Sequence, residues 1–191
     1  MAVSPNATGV QGYIEFTNPN PCSNQFGNGL TVEAVTLMQT AAINGHVQVG
    51  WVKRQGMTAP KMLCEFSGED ATDYFDPVEF SLPSWSTFKY TFQHDAGNRE
   101  WECLLNSTVY AVRPSAWLGF QSGSSLNAQG EVNSTHAQIG KMAPDKLDLT
   151  ALKFKRSGSW TTMNLTLLGT VAPYGRDEPQ AGQLRNWTNA H

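Results

Sequence analysis

The sequence predicts an all-β protein, a sandwich of two packed antiparallel sheets. Three observations carry that expectation. Apolar and polar residues alternate with a period of two along most of the chain, turn-forming clusters interrupt the alternation, and no window holds apolar residues at helical spacing for three turns. The 191 residues fit one large domain of this class. The expected organisation is a sandwich over 1–172 and an extended C-terminal tail over 173–191. In that tail Gly175, Pro179 and Gly182 break the pattern, and only Leu184 and Trp187 offer anchors.

Taken in order, the expected strands begin with Gly12–Thr17, followed by a loop from Asn18-Pro19-Asn20-Pro21 to Gly29. Leu30–Met38 and His46–Lys53 come next. Successive side chains of a strand point to opposite faces, so Val47, Val49 and Trp51 share the apolar face while His46, Gln48 and Gly50 share the polar one. In Lys61–Phe66, Met62, Cys64 and Phe66 point to the core and Lys61, Leu63 and Glu65 point out. The segment Ser67–Asp76 reads as an acidic loop with Glu69, Asp70, Asp73 and Asp76, and it lacks the ligand pattern and central glycine of an EF-type calcium loop. Trp85–Gln93 sets Phe88, Tyr90 and Phe92 against Thr87, Lys89, Thr91 and Gln93. The cluster Asp95-Ala96-Gly97-Asn98 then turns it into Arg99–Leu105, the clearest hairpin of the chain. Thr108–Val112, Ala116–Gln121, Asn127–Val132, Leu147–Lys155 and Thr161–Leu168 complete the set.

Composition narrows the function. Only 15% of residues are charged, against roughly 25% in an average soluble domain, so the surface relies on neutral polar side chains. A net charge of −3 without a Lys/Arg run excludes a phosphate-binding footprint and argues against nucleic acid as a partner. No stretch approaches the roughly 20 apolar residues of a membrane span, and Met1–Gly12 has no charged-then-apolar signal pattern. A neutral polar coat fits an extracellular, secreted protein or a virion surface. Five Asn-x-Ser/Thr sequons begin at Asn6, Asn106, Asn133, Asn164 and Asn186, in keeping with a glycoprotein. Cys22, Cys64 and Cys103 have no zinc-site spacing; Cys64 and Cys103 read as buried thiols, with a bridge involving Cys22 as the alternative.

No metalloprotease helix, Cys-x-x-Cys, phosphate-cradling glycine loop or Gly-x-Ser-x-Gly elbow occurs, so neither a metal nor a cofactor is expected. The four histidines, His46, His94, His136 and His191, fall at strand edges, loops and the terminus.

The run His46-Val47-Gln48-Val49-Gly50-Trp51, with its Gln-x-Gly strand, resembles the eqolisin glutamic peptidases and the related neprosin family. Asn127-Ala128-Gln129-Gly130-Glu131-Val132 resembles the late strand that carries their catalytic glutamate, and Cys64-Glu65-Phe66 resembles their aromatic-acidic strand. Order and approximate spacing agree over roughly residues 10–142. The resemblance implies a jelly-roll or concanavalin-like sandwich, with Glu131 as general base and then acid, and the Gln48 amide as oxyanion donor. Glu65 would lie nearby and raise the Glu131 pKa by like-charge repulsion. Two features depart from the family pattern. Gly130 and Val132 replace the aromatic residues that flank the eqolisin glutamate, and the extra neprosin glutamate has only Gly29 or Glu33 near its place.

Given those departures, the first expectation is an extracellular recognition module that holds an extended ligand, glycan or peptide, on a polar sheet face. Glu65, Trp85, Trp101 and Lys89 are the ligand-binding candidates, the tryptophans as stacking platforms for sugar rings. The second is a glutamic-type acid endopeptidase using Gln48 and Glu131. The third is a structural surface, virion or filament protein capable of self-assembly.

Overall fold

A computed structural model of the protein describes residues 2–21, 29–39, 45–68, 75–82, 87–132, 138, 141–166 and 174–189. The strands are β1 (Ala2–Ala7), β2 (Gly9–Ile14), β3 (Leu30–Met38), β4 (His46–Arg54), β5 (Lys61–Ser67), β6 (Phe75–Ser81), β7 (Phe88–Asp95), β8 (Glu100–Leu105) and β9 (Thr108–Pro114). After a single helical turn, α1 (Ser115–Leu118), come β10 (Gly123–Val132), β11 (Lys141–Met142), β12 (Leu147–Arg156), β13 (Ser159–Thr162), β14 (Tyr174–Asp177) and β15 (Leu184–Thr188). They form two sheets. The first runs β1-β10-β3-β4-β5-β6; the second runs β11-β15-β12-β2-β7-β8-β9, with β13 beside β12 and β14 beside β15. Pairing is antiparallel except between β11 and β15.

The expected alternation places the core. Val47, Val49 and Trp51 from β4, Cys64 and Phe66 from β5, and Phe88, Tyr90 and Phe92 from β7 are all buried between the sheets. Burying side chains of this size stabilises by about 1.5–3 kcal/mol each before conformational entropy is counted. Phe66 and Phe92 meet edge to face across the interface, with centroids 4.9 Å apart.

Several expectations change. Cys64 and Cys103 are not free thiols: they form a disulfide, because core-facing positions on β5 and β8 bring their Cα atoms to 6.0 Å across the two sheets. Cys22 lies outside the described residues. The strand expected over 116–121 is instead α1, since Pro114 precedes it and Gly119, at φ 80°, ends it with a left-handed cap whose N–H donates to the Ser115 carbonyl. The tail is no tail. β15 is an interior strand of the second sheet, Leu184 is buried, and the Lys146 ammonium sits 4.2 Å from the Trp187 ring centroid. Asp76, assigned to the acidic loop, belongs to β6 and pairs with Arg113 at 2.5 Å, joining the edges of the two sheets. Glu69, Asp70 and Asp73 lie outside the described residues.

Glu33 and Asn186 tie the sheets together internally. The fully buried Glu33 accepts a hydrogen bond from the Asn186 Nδ2 at 2.8 Å. The sequon at Asn186 is therefore enclosed, whereas Asn6, Asn106 and Asn164 are exposed and Asn133 lies outside the described residues.

Candidate active site

The site is set by the register of the first sheet. On the face turned away from the core, Asn127, Thr36, Gln48, Glu65 and Pro77 stand in one cross-strand row from β10 to β6. The next row along the strands contains Gln129, Ala34, Gly50, Leu63 and Glu79, and the row beyond it begins with Glu131 and Val32. Gln48 and Glu131 are thus two rows and two strands apart. Ala34 and Gly50, with no bulk of their own, leave the intervening row open to the long side chain of Gln129.

Gln129 closes that gap. Its Nε2 donates to the Gln48 Oε1 at 3.2 Å and also to the Glu131 Oε1, so one nitrogen joins the two residues. The Thr36 hydroxyl donates to the same Gln48 Oε1 at 2.8 Å. With both bonds entering the oxygen, the Gln48 Nε2 has no acceptor among the described residues. Diagonally on the same face, His46 Nε2, one row further along, lies 2.7 Å from Glu65 Oε1. This face is recessed: Thr36 and Gln48 retain only 3% and 4% exposure, and Val32, Ala34, Val52 and Leu63 form a small buried apolar cluster beside them.

The recess shapes the electrostatics. Crowding by surrounding protein atoms pushes the Glu131 carboxyl above the usual glutamate range, and the nearby Glu65 carboxylate pushes the same way. The His46 ring and the Gln129 hydrogen bond oppose them without cancelling them. The Glu131 side chain is nonetheless exposed to solvent.

Gln48, Glu131 and Glu65, the three residues singled out by sequence motif, therefore meet on one face. The other candidates do not join them. Trp101 is wholly buried in the core, its indole N–H donating to the Phe120 carbonyl at 2.9 Å, because its neighbours Glu100 and Glu102 take the outward positions on β8. Lys89 sits opposite Tyr13 on the outer face of the second sheet, with the core between it and Gln48. Trp85 lies outside the described residues. Sequence reasoning gave no role to Thr36 or Gln129, and none to His46 beyond its face. Parity offered a signal for two of them: His46 is two residues from Gln48, and Gln129 two from Glu131. Elsewhere, Asp95, Glu100 and Glu102 bring potential ligand oxygens within 4.8 Å of one another at the β7–β8 turn. Their own bonds to Gln93, Gly97 and Asn98 account for much of that cluster without an ion.

No family model matches the chain, and no curated protein does. Among solved structures, it is similar to SCP-B, a member of the eqolisin family of peptidases in a complex with a tripeptide Ala-Ile-His. That match has a TM-score of 0.58 and 8% identity over 98% of this chain and 94% of that one. It is also similar to scytalido-glutamic peptidase with a transition state analog inhibitor, with a TM-score of 0.59 and 9% identity over 98% of this chain and 95% of that one. At such identities the likeness concerns architecture: the chain has an eqolisin-like β-sandwich fold.

Proposed function

We propose that the protein is a glutamic-type acid peptidase that hydrolyses peptide bonds on the recessed face of its first sheet. The observation that carries this reading is the junction of Gln48 and Glu131 through the single nitrogen of Gln129, beside the acidic partner Glu65. Peptide hydrolysis needs a base for the attacking water and a donor for the oxyanion, and the two residues supply one each. Ionised Glu131 takes a proton as the water oxygen bonds to the carbonyl carbon. The free Gln48 N–H donates to the resulting oxyanion, and Glu131 returns its proton to the departing amine as the C–N bond breaks. A carboxylate whose pKa is raised accepts a proton more readily than an ordinary one, and the carboxyl it becomes can give that proton back in mild acid.

The eqolisin-like fold supports the same reading, since the two neighbours named above are peptidases, one with a tripeptide and one with a transition-state analogue. A peptide is accordingly the proposed substrate class. A sugar-binding reading loses support because Trp101, one of its two stacking platforms, is in the core. The Cys64–Cys103 disulfide supports an extracellular, oxidising setting, and no helix among the described residues is long and apolar enough to cross a membrane.

The test is digestion of a denatured protein between about pH 3 and 5. Purified wild type should cleave, Glu131→Gln should not, and Gln48→Ala should lose about 10²–10³-fold in turnover. Cleavage that survives Glu131→Gln, or a wild type inert throughout that range, would remove the proposal.

A further inference from the structure

We propose that Gln129 and Thr36 are positioning residues that turn the Gln48 amide so that its NH₂ group, rather than its oxygen, faces the reacting carbonyl while Glu131 is ionised. The inference rests on the peptidase reading for its catalytic meaning, and on hydrogen-bond geometry for its substance.

A side-chain amide has two nearly isosteric ends, and only its surroundings decide which end points where. The deciding group here is Glu131. An ionised carboxylate offers acceptors only, so the end of Gln129 beside it must be the NH₂ group. That same nitrogen also reaches Gln48, and a donor there requires the Gln48 oxygen to turn toward it. The Thr36 hydroxyl, on the neighbouring strand, adds a second donor to that oxygen at 2.8 Å. The Gln48 NH₂ is then left over, on the same recessed face, with no acceptor among the described residues. The charge of the base is thereby transmitted through one amide to the orientation of the oxyanion donor.

Protonation of Glu131 removes the constraint. A neutral carboxyl carries a donor as well as acceptors, so Gln129 can reverse, and Gln48 is then held in place by Thr36 alone. The ionisable groups that share this face are His46 and Arg54 on β4, Glu65 and Lys61 on β5 and Glu79 on β6. The described part of β3 and the rest of β10 add none. Of these, Glu65 and His46 act on Glu131 directly, and Arg54 and Glu79 engage each other at 2.7 Å. Gln129 is the residue that makes hydrogen bonds to both Gln48 and Glu131.

The experiment combines kinetics with side-chain NMR on the full chain. In wild type, the Gln48 side-chain NH₂ resonances should shift with the same midpoint as the Glu131 carboxyl carbon. Gln129→Leu should uncouple the two titrations and move the Glu131 midpoint upward, because a hydrogen bond that favours the ionised form is gone. In the same variant kcat should fall about 10- to 100-fold with little change in KM, and the acidic limb of the rate profile should move to higher pH. Thr36→Val should lower kcat, and Thr36→Ser should restore it. An NH₂ signal in wild type that ignores the titration of Glu131, or a Glu131 midpoint unmoved in Gln129→Leu, would overturn the proposal. Because both NMR readouts are independent of turnover, a protein that cleaves nothing would defeat the peptidase reading while still deciding whether Gln129 orients Gln48.

Discussion

Trp51 shows how much of a site depends on the opposite face of its own strand. Its ring is fully enclosed, its indole N–H donates to the Glu15 carbonyl at 3.0 Å, and it packs edge-on to Phe16, all on the side of β4 opposite the face that carries Gln48 and Gly50. Trp51→Ala should destabilise by about 3–5 kcal/mol in a denaturant melt, and a loss under about 1 kcal/mol would contradict its place in the core. Tyr90 is the reverse case: its hydroxyl is buried with no partner among the described residues, which also pushes the phenol pKa up. An unpaired buried hydroxyl costs about 1–3 kcal/mol, so Tyr90→Phe should keep or raise the melting midpoint. Glu131 adds a pH signature. Its folded-state pKa lies above the ordinary 4.5, so the folded protein holds that proton more tightly than the unfolded chain. The resulting stabilisation is full below the ordinary value and is lost as pH rises through the folded one. Glu131→Gln should therefore melt above wild type at about pH 7, and the gap should close below about pH 4.5. A variant that melts below wild type at neutral pH would contradict the raised value.

At the scale of elements, β4 and β5 show their faces in sequence because apolar and polar residues largely alternate along them, and the alternation fixes which face Gln48 and Glu65 share, even though both faces are largely buried in the fold. What could not be read was that Gln129 spans from β10 to β4, since strand order and register depend on which strand passes between them. β3 is that strand, and it supplies the low floor. β6 escaped notice because its chain enters through acidic residues and carries Pro77, which suits an edge strand and looks like a loop. Residues 116–121 resemble a strand in sequence because of Trp117 and Leu118, whereas the bracketing Pro114 and Gly119 decide the local conformation of α1. Gly50 is the element-scale feature with the sharpest consequence. A Cβ there would stand 1.9 Å from the Glu33 carbonyl oxygen and 2.7 Å from the Ala34 Cα, both backbone atoms of β3. Gly50→Ala should force the two strands apart, costing about 1–3 kcal/mol or more, and should impair the site one residue pair away. A Gly50→Ala protein with wild-type stability would show that β3 and β4 are not so close.

For the whole molecule, the sandwich was legible and its closure was not. Periodicity reveals faces, but it does not tell which strands lie across the core from one another. The last residues therefore look like a tail in sequence, although β15 fills the position between β11 and β12 and sends Asn186 through the interior to Glu33. The disulfide has the same origin. Cys64 and Cys103 each looked like a buried small hydrophobe on its own strand, and only the stacking of β5 over β8 brings them together. Linking positions 39 apart in sequence removes loop-closure entropy from the unfolded chain, worth about 4 kcal/mol at room temperature in the chain-entropy account. For a domain of this size each kcal/mol moves the melting midpoint by about 2–4 °C. Reduction under non-denaturing conditions, or the paired substitution Cys64→Ala with Cys103→Ala, should then lower the midpoint by about 8–16 °C. The two treatments should agree within a few degrees if the cross-link itself is responsible. A loss after substitution but none after verified reduction would assign the effect to packing at Cys64 and Cys103 instead. A midpoint unchanged by either would mean that the two sheets hold together without a covalent tie.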